Sequence, residues 1–436
     1  MKTYTIIWFG QLASSLGTAM TRFALLIWAY QQTGEAMTLA LLGFFNWLPF
    51  IILLPFAGVW VDKLNRRWVL ILADVGAGLV TLLLLGLFWA DSLAIWHLYL
   101  LETLLSVFDA FQNPAYTASI TSLIKKSDYS RASGMRSLSQ NASLVFAPLT
   151  AGLLLTLVGL GGVLIIDIIT FLIAMGTLFV VRIPQPKPMK QDEAESFWRR
   201  ITFGFRFIYA RKGLFGLMLI FVGVHFFAAL TYFSILPAMI LARSGNNEIA
   251  LATTQAALGI AGIAGGIVVS IWGGPKRLIH GALAATAISF LFGDFLYAIG
   301  QNVLMWVIAA SVAAFFIPFI TAANRAIWQA KVPPAIQGRV HSVRITSENF
   351  TRPIGYVFGG YLADNIFEPA MMEGGSWAPT FGWLIGTGPG AGMGLMFLCT
   401  AVGGCLVSLS GYLSPAIRNV ETMLPDHDEV EIYATS

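Results

Sequence analysis

Twelve apolar stretches, each long enough to cross a bilayer, follow one another between residues 4 and 414. A crossing helix needs about 20 mostly apolar residues. The stretches run over 4–30, 38–61, 68–90, 94–121, 137–159, 162–181, 213–241, 250–272, 277–300, 302–330, 340–366 and 382–414. They are too long and too evenly apolar for the alternating strands of a barrel, so the expected fold is an all-α membrane protein of twelve transmembrane helices. Composition points the same way. Of 436 residues, 57% are hydrophobic and 11% charged, whereas a soluble domain carries about 25% charge. A water-soluble surface for this length of chain cannot be built from that supply.

The charges also orient the chain. With the N-terminus placed in the cytoplasm, 22 of the 26 Lys and Arg fall on that side, counting Arg277 and Arg344 at the inner ends of their stretches, and only Arg243 falls outside; Arg22, Arg325 and Arg352 lie within spans. Basic loops stay cytoplasmic, so both termini are expected there. Because the basic residues follow loop parity and form no patch, the net charge of +4 gives no indication of nucleic-acid binding. The first apolar run has no small-residue cleavage site, so no cleavable signal peptide is expected. Cys399 and Cys405 share one apolar run and read as small buried hydrophobes rather than a disulfide or metal pair.

The longest polar stretch between spans divides the chain. It carries Pro184, Pro186 and Pro188, then Asp192, Glu193 and Glu195, and closes with a basic amphipathic piece from Phe197 to Lys212. The expected organisation is a six-helix half over 1–183, a cytoplasmic linker over 184–212 with a helix lying on the inner membrane surface, a second six-helix half over 213–414, and an acidic, disordered cytoplasmic tail over 415–436. The halves look related. Phe108, Phe111, Ala118, Arg131, Arg136, Asn141 and Gly152 recur 208 residues later as Phe316, Phe319, Ala326, Arg339, Arg344, Asn349 and Gly360. A parallel repeat of six spans is an architecture used by secondary transporters, with a central cavity near the midplane.

The loop after the second stretch holds Gly58, Asp62, Lys63, Arg66 and Arg67. It resembles the signature loop of the major facilitator superfamily: a glycine, an aspartate four residues on, then a basic pair. The resemblance implies a cytoplasmic gate. Gly58 allows close helix approach, Asp62 accepts hydrogen bonds from a facing helix N-terminus, and Arg66 and Arg67 bridge to carboxylates across the halves. The matching loop of the second half, Trp272 to Arg277, keeps Lys276 and Arg277 and lacks the aspartate. The fifth stretch carries Ser143, Ala147, Pro148 and Gly152. This resembles the glycine–proline motif of exporters in that superfamily, and generic small-residue packing is the competing reading.

Further stretches are similar to the bacterial macrolide-efflux branch, which also includes siderophore and peptide exporters. They include Gln11 with Ser14, Tyr30 to Met37, Leu48 to Pro55, Ala110 to Ala115, Lys212 to Phe215, Gly338 to Ser342 and Pro353 to Asp364. The resemblance covers nearly the whole chain. It implies a drug:proton antiporter of a bacterial inner (plasma) membrane, monomeric in the lipid bilayer, with an amphiphilic small molecule as substrate, protons as the coupling ion and no cofactor. Members of that branch often carry an arginine in span four tied to proton coupling, and Leu105 stands there in this chain.

An ionisable residue inside a span is costly and is by default a functional candidate. Arg22 on span one and Glu102 on span four lie at nearly the same depth, and they pair if both spans line the cavity. A structural salt bridge is the equal alternative. Asp109 lies seven residues on from Glu102, nearly the same face of the helix, and is the candidate proton carrier. His225 in span seven and Arg325 near the inner end of span ten complete the set. Asp74, Asp167, Asp294 and Glu348 lie nearer span ends, where solvated or capping roles are expected. Phe226, Phe227, Tyr232, Phe233, Phe315, Phe316 and Phe319 either stack on an amphiphile or face lipid.

No metal-ligand spacing and no nucleophile–base constellation occurs in the loops, so an enzyme is not expected. The glycine-rich run from Thr387 to Gly394 lacks the Lys-Ser/Thr ending of a phosphate loop and follows no strand, so it reads as helix packing. The predicted activity is secondary transport, with proton-coupled export of an amphiphile first. An importer or facilitator of a small anionic solute, using Arg22, is the alternative.

Overall fold

The computed structural model describes residues 1–125, 128–181 and 197–426, and every regular element among them is helical. The first half of the chain forms α1 (Lys2–Thr33), α2 (Ala36–Lys63), α3 (Arg66–Trp89), α4 (Ile95–Leu123) and α5 (Tyr129–Val180). Then come α6 (Phe197–Tyr209), α7 (Lys212–Thr231), α8 (Leu236–Ser244), α9 (Glu248–Trp272), α10 (Leu278–Ile288), α11 (Phe295–Ile299), α12 (Val303–Phe315) and α13 (Ile317–Lys331). The last stretch holds α14 (Pro334–Asn349), α15 (Thr351–Leu362), α16 (Glu368–Met371), α17 (Ala378–Ile385), α18 (Ala391–Ser410), α19 (Pro415–Arg418) and α20 (Val420–Met423).

These elements account for the twelve apolar stretches. The 52-residue α5 is two crossings, because Gly159 breaks it at φ 66° and ψ −177°, a backbone state that a side chain resists. α10 and α11 form one crossing through a π-helical turn at Ser289–Asp294, and a second π turn, Ala363–Phe367, extends α15. Nine helical stretches among the described residues are long and apolar enough to cross a membrane, one of them the double-length α5. The two crossings outside that set are α4 and the α14–α15 stretch, both interrupted by ionisable side chains. The twelfth crossing differs from expectation. It starts at Ala391, because Gly386, Gly388 and Gly390 adopt positive φ and separate it from α17.

Helix ends follow local chemistry. Gly34 closes α1 in the left-handed conformation, its N–H donating to Tyr30 O at 2.7 Å. Asn65 caps α3 by accepting from the N–H groups of Arg67 and Trp68. Glu368 performs the same task across space. Its carboxylate accepts from Gly390 N at 3.0 Å and Met393 N at 2.8 Å, so the glycine-rich turn before α18 presents its amides to the protein's own carboxylate.

The chain divides into two compact units, Met1–Lys190 with Ile240–Ala256, and Gln191–Met239 with Ala257–Ser436. In the first, α1 lies along α5. A Cβ on Gly17 would fall 2.1 Å from Thr170 Oγ1, so only glycine permits this approach. Arg136 on α5 reaches back to α4, donating to Thr117 Oγ1 at 2.5 Å and lying over the Tyr116 ring.

In the second unit the repeat-related Arg344 on α14 likewise reaches back to the preceding helix, over the Trp328 ring of α13. The core there joins Leu214, Leu217, Ile279, Leu283, Ile327 and Trp328 to Ile417 and Val420. The tail expected to be disordered over 415–436 carries two short helices, α19 and α20, held by the buried anchors Ile417 and Val420; residues 427–436 lie outside the described residues. Glu421 accepts from Leu278 N at 3.0 Å and Ile279 N at 2.9 Å, capping α10. The buried Lys331 Nζ donates to Glu421 O at 2.5 Å, Leu424 O at 2.6 Å and Asp426 Oδ1 at 2.6 Å. The expected amphipathic helix is α6. Its Gly204 packs on α14 at Val343 and Arg339, while Phe203, Phe205 and Tyr209 remain exposed.

Candidate functional site

α1, α2 and α4 build the site in the first unit. Arg22 projects from the middle of α1, an apolar helix whose own backbone offers that guanidinium no acceptor. α4 supplies them: Arg22 Nη2 donates to Asp109 Oδ2 at 2.9 Å, and Arg22 Nε lies 3.6 Å from Glu102 Oε2. The sequence expectation paired Arg22 with Glu102 and took Asp109 as the candidate proton carrier. The tighter contact is with Asp109, since the seven-residue spacing puts both carboxylates on the face that meets α1.

The three groups differ in access. The Arg22 and Asp109 side chains are 34% and 36% exposed, whereas Glu102 is 10% exposed. Asn46 of α2 donates to Glu102 Oε2 at 2.8 Å. Glu102 is thus the fixed end of the cluster and Asp109 the reachable one. Asn46 was missed in the sequence, although a lone amide within an apolar stretch is a signal of an inward-facing partner. Leu105, standing where the related branch carries an arginine, is buried on α4 between the two carboxylates in sequence.

Two more carboxylates sit in the same unit. Asp74 accepts from Gln11 Nε2 at 2.8 Å and from Gln112 Nε2, joining α1, α3 and α4. Asp167 accepts from Thr81 Oγ1 at 3.0 Å and Thr18 Oγ1 at 3.4 Å. Expected to be solvated or capping, Asp74 and Asp167 are instead 3% and 2% exposed. Helical faces, not distance from the ends of the apolar stretch, decide their surroundings. In the second unit Asp294 and Glu348 are buried as well. Asp294 accepts from Thr400 Oγ1 at 2.6 Å beside the π turn, and Glu348 Oε1 lies 3.8 Å from Arg344 Nε.

The other candidates lie apart from this cluster. His225 is bonded through Nδ1 to Phe221 O of its own helix at 2.7 Å. Arg325 is exposed on α13. Tyr232 packs edge-on against Tyr297 and Phe397, and Phe315, Phe316 and Phe319 pack on one another. Gly58 and Asp62 lie in the last two turns of α2, and the surroundings of both fall outside what is described. Arg67 donates to the α5 carbonyls of Phe179 at 3.0 Å and Leu178 at 3.3 Å, where an ion pair with a carboxylate was expected. Arg66 begins α3. Ser143 Oγ stands 3.4 Å from Ser15 Oγ on α1, while Ala147 and Pro148 are buried. A Cβ on Gly152 would fall 2.8 Å from Ala252 Cβ, so small residues bring α5 against the start of α9. Among the described residues no group of His, Cys, Asp and Glu has metal-binding geometry.

What this arrangement can do is hold one cation between two carboxylates inside an apolar bundle, one of them accessible. Comparisons with known proteins bear on its use. The family profile of the Major Facilitator Superfamily matches residues 7–274. A protein named macrolide efflux protein A from Streptococcus pyogenes is 26% identical over 371 residues, covering 84% of this chain and 90% of its own. The Enterococcus faecalis protein of the same name is 26% identical over 329 residues, covering 74% and 99%. Among solved structures, the nucleoside transporter NupG superposes with a TM-score of 0.66 at 11% identity, covering 94% of this chain and 99% of its own. A bacterial homologue of the iron transporter ferroportin superposes with a TM-score of 0.65 at 16% identity, covering 93% and 98%.

Proposed function

Since the chain belongs to the Major Facilitator Superfamily and is a multi-pass membrane transporter, we propose that it exports an amphiphilic small molecule in exchange for protons by alternating access. The observation that carries this reading is the Arg22–Asp109 contact at 2.9 Å, with Glu102 behind it. A proton arriving at Asp109 cancels the charge that holds Arg22 and leaves Glu102 as its one remaining anionic partner. A ligand shifts a two-state equilibrium only as far as it binds the states differently. Protonation of Asp109 supplies such a difference, because it changes which groups Arg22 can hold.

Export is favoured by the two relatives named for macrolide efflux and by the small-residue contact at Gly152. The substrate class is an amphiphile such as a macrolide or a siderophore-like metabolite. The arginine that the related branch carries on span four is replaced here by Leu105, and Arg22 of α1 provides the cation from the facing helix instead. The alternative, uptake of a small anion by Arg22, is less favoured, because two carboxylates already neutralise that guanidinium. The protein acts as a monomer in a bacterial plasma membrane with both termini cytoplasmic, as the distribution of 22 of 26 basic residues favours. The functional organisation is a half over 1–183, a linker over 184–212 and a half over 213–414.

Proteoliposomes with an imposed pH gradient and a labelled macrolide test the reading. Uphill substrate movement with proton movement in the opposite direction is expected, and Asp109→Asn removes both. Substrate movement only down its own gradient, indifferent to pH, overturns proton coupling.

A further inference from the structure

The second unit contains a cavity, with polar walls and an apolar floor, that the transport reading leaves unused. It opens between the C-terminal turns of α13 and the first turns of α14, with a volume of about 200 Å3. Arg325 and Gln329 line one wall and His341 the other; Trp328, Val332 and Val340 form the apolar floor. Arg325 has no carboxylate within ion-pair distance among the described residues. Behind the wall lies a second guanidinium. Arg344 is 6% exposed, lies over the Trp328 ring with its Cζ 5.2 Å from the centroid, and donates through Nη2 to His341 Nδ1 at 3.2 Å. Among the described residues its Nε and Nη1 have no hydrogen-bond partner, and its carboxylate neighbour, Glu348, stands 3.8 Å from Nε.

Two consequences follow from general chemistry. Arginine only donates, so His341 Nδ1 must accept, and the ring proton sits on Nε2, leaving an N–H donor on a side chain that lines the cavity. α14 opens on Pro333 and Pro334, which carry no N–H, and Ile336 N donates to Pro333 O at 3.0 Å, so the donors that face the cavity are side chains. A planar guanidinium and an imidazole N–H at one opening form a donor set matched to a tetrahedral oxyanion.

We propose that this cavity binds a phosphate group, held by Arg325 and by His341 with Arg344 behind it. The phosphate is carried by an anionic phospholipid or is free inorganic phosphate; the apolar floor of Trp328, Val332 and Val340 provides contact for the carbon atoms next to a lipid phosphate, which a free ion does not need.

The experiment is thermal unfolding of the purified full-length protein in neutral detergent. Phosphatidylglycerol, phosphatidylcholine and inorganic phosphate are titrated separately against the native sequence, Arg325→Gln, His341→Gln and Arg206→Gln. Arg206 is exposed on α6, is not among the residues that line the cavity, and controls for bulk charge attraction. The expected result is a rise in Tm with phosphatidylglycerol and not with phosphatidylcholine. Its half-saturation should weaken roughly tenfold or more in Arg325→Gln and His341→Gln, in line with one lost charge-assisted contact, and stay unchanged in Arg206→Gln. A rise of equal size with millimolar inorganic phosphate, lost in the same two variants, supports the site and identifies the free ion as its ligand. No rise with either phosphate source, or an equal loss in Arg206→Gln, overturns the proposal. If Arg325→Gln does not fold, His341→Gln alone carries the comparison. The readout is independent of transport, so a failure here leaves the export reading untouched.

Discussion

Arg22 and Asp109, 87 positions apart in the chain, meet at 2.9 Å, and the contact is open enough for water or a ligand to reach. A buried ion pair is weak evidence of stabilisation, since desolvation opposes the Coulomb gain. An exposed one contributes little. This pair, about a third exposed on each side chain, lies between those limits, which suits a contact that forms and breaks in a cycle.

Asp109→Asn is expected to abolish proton-driven export and leave the fold intact, with a stability loss of no more than about 1 kcal/mol for a partly exposed pair. Arg22→Gln is expected to cost more, roughly 2–4 kcal/mol, since it strands Glu102 inside the bundle. The double variant should be less destabilised than the sum of the two. Tm in detergent and transport in liposomes check this together. Wild-type rates in Asp109→Asn would remove the carboxylate from the mechanism.

Asn46 supplies the hydrogen bond that keeps Glu102 in place. Asn46→Leu should cost about 1–3 kcal/mol by leaving a buried acceptor short of a donor. Glu102→Gln should cost less, because an amide carbonyl accepts the same bond. Chemical denaturation of the two variants, read by tryptophan fluorescence, ranks them; the reverse order would mean that Asn46 serves packing alone.

Asp74 sits between two glutamine amides. Asp74→Asn should keep most of the stability, since an amide oxygen still accepts. Asp74→Val should cost about 1–3 kcal/mol by removing the acceptor that the two glutamine amides share; Gln112 Nε2 keeps Gln11 Oε1 at 3.4 Å, and Gln11 Nε2 loses its partner. Tm values for the two variants make the comparison, and equal losses would show that charge, not bonding, is what the site requires.

The C-terminal segment makes a prediction outside the bundle. Glu421→Gln weakens the cap on α10 and should cost about 1 kcal/mol. Lys331→Met removes the donor shared by Glu421 O, Leu424 O and Asp426, and the segment should then detach. Limited trypsin digestion at Arg418 reads this directly, with cleavage faster in both variants than in the native protein. Unchanged cleavage would show that Ile417 and Val420 hold the segment without help.

The spans were legible because lipid leaves the backbone no partner but itself, so each crossing writes a run of about 20 apolar residues. The meeting of Arg22 with the Glu102–Asp109 face was legible for a related reason: an ion inside a span must find an opposite charge at its own depth. Asp74 and Asp167 were misread because helices apolar all round give no sign of which face turns inward. Asn46, Gln11 and Gln112 disclose that face only once the neighbouring helix is in place. Gly159 ends a crossing at the predicted boundary, yet the two π turns at Ser289–Asp294 and Ala363–Phe367 leave no mark in the local sequence. Residues 415–426 were misread from polar composition, which hid the two anchors at Ile417 and Val420.

The spread of the polar partners over distant helices sets an order of events during synthesis. α1 emerges first and carries Arg22, yet both carboxylates that meet it belong to α4, and among the described residues α2 and α3 bring it no acceptor. Until then the guanidinium must stay near the aqueous edge on its flexible stem. Asp167 comes later still and finds its hydroxyl partners on α1 and α3, already in the lipid. The first unit therefore cannot mature one helix at a time: its early spans must remain loosely held in the bilayer until α5 has entered and closed the set.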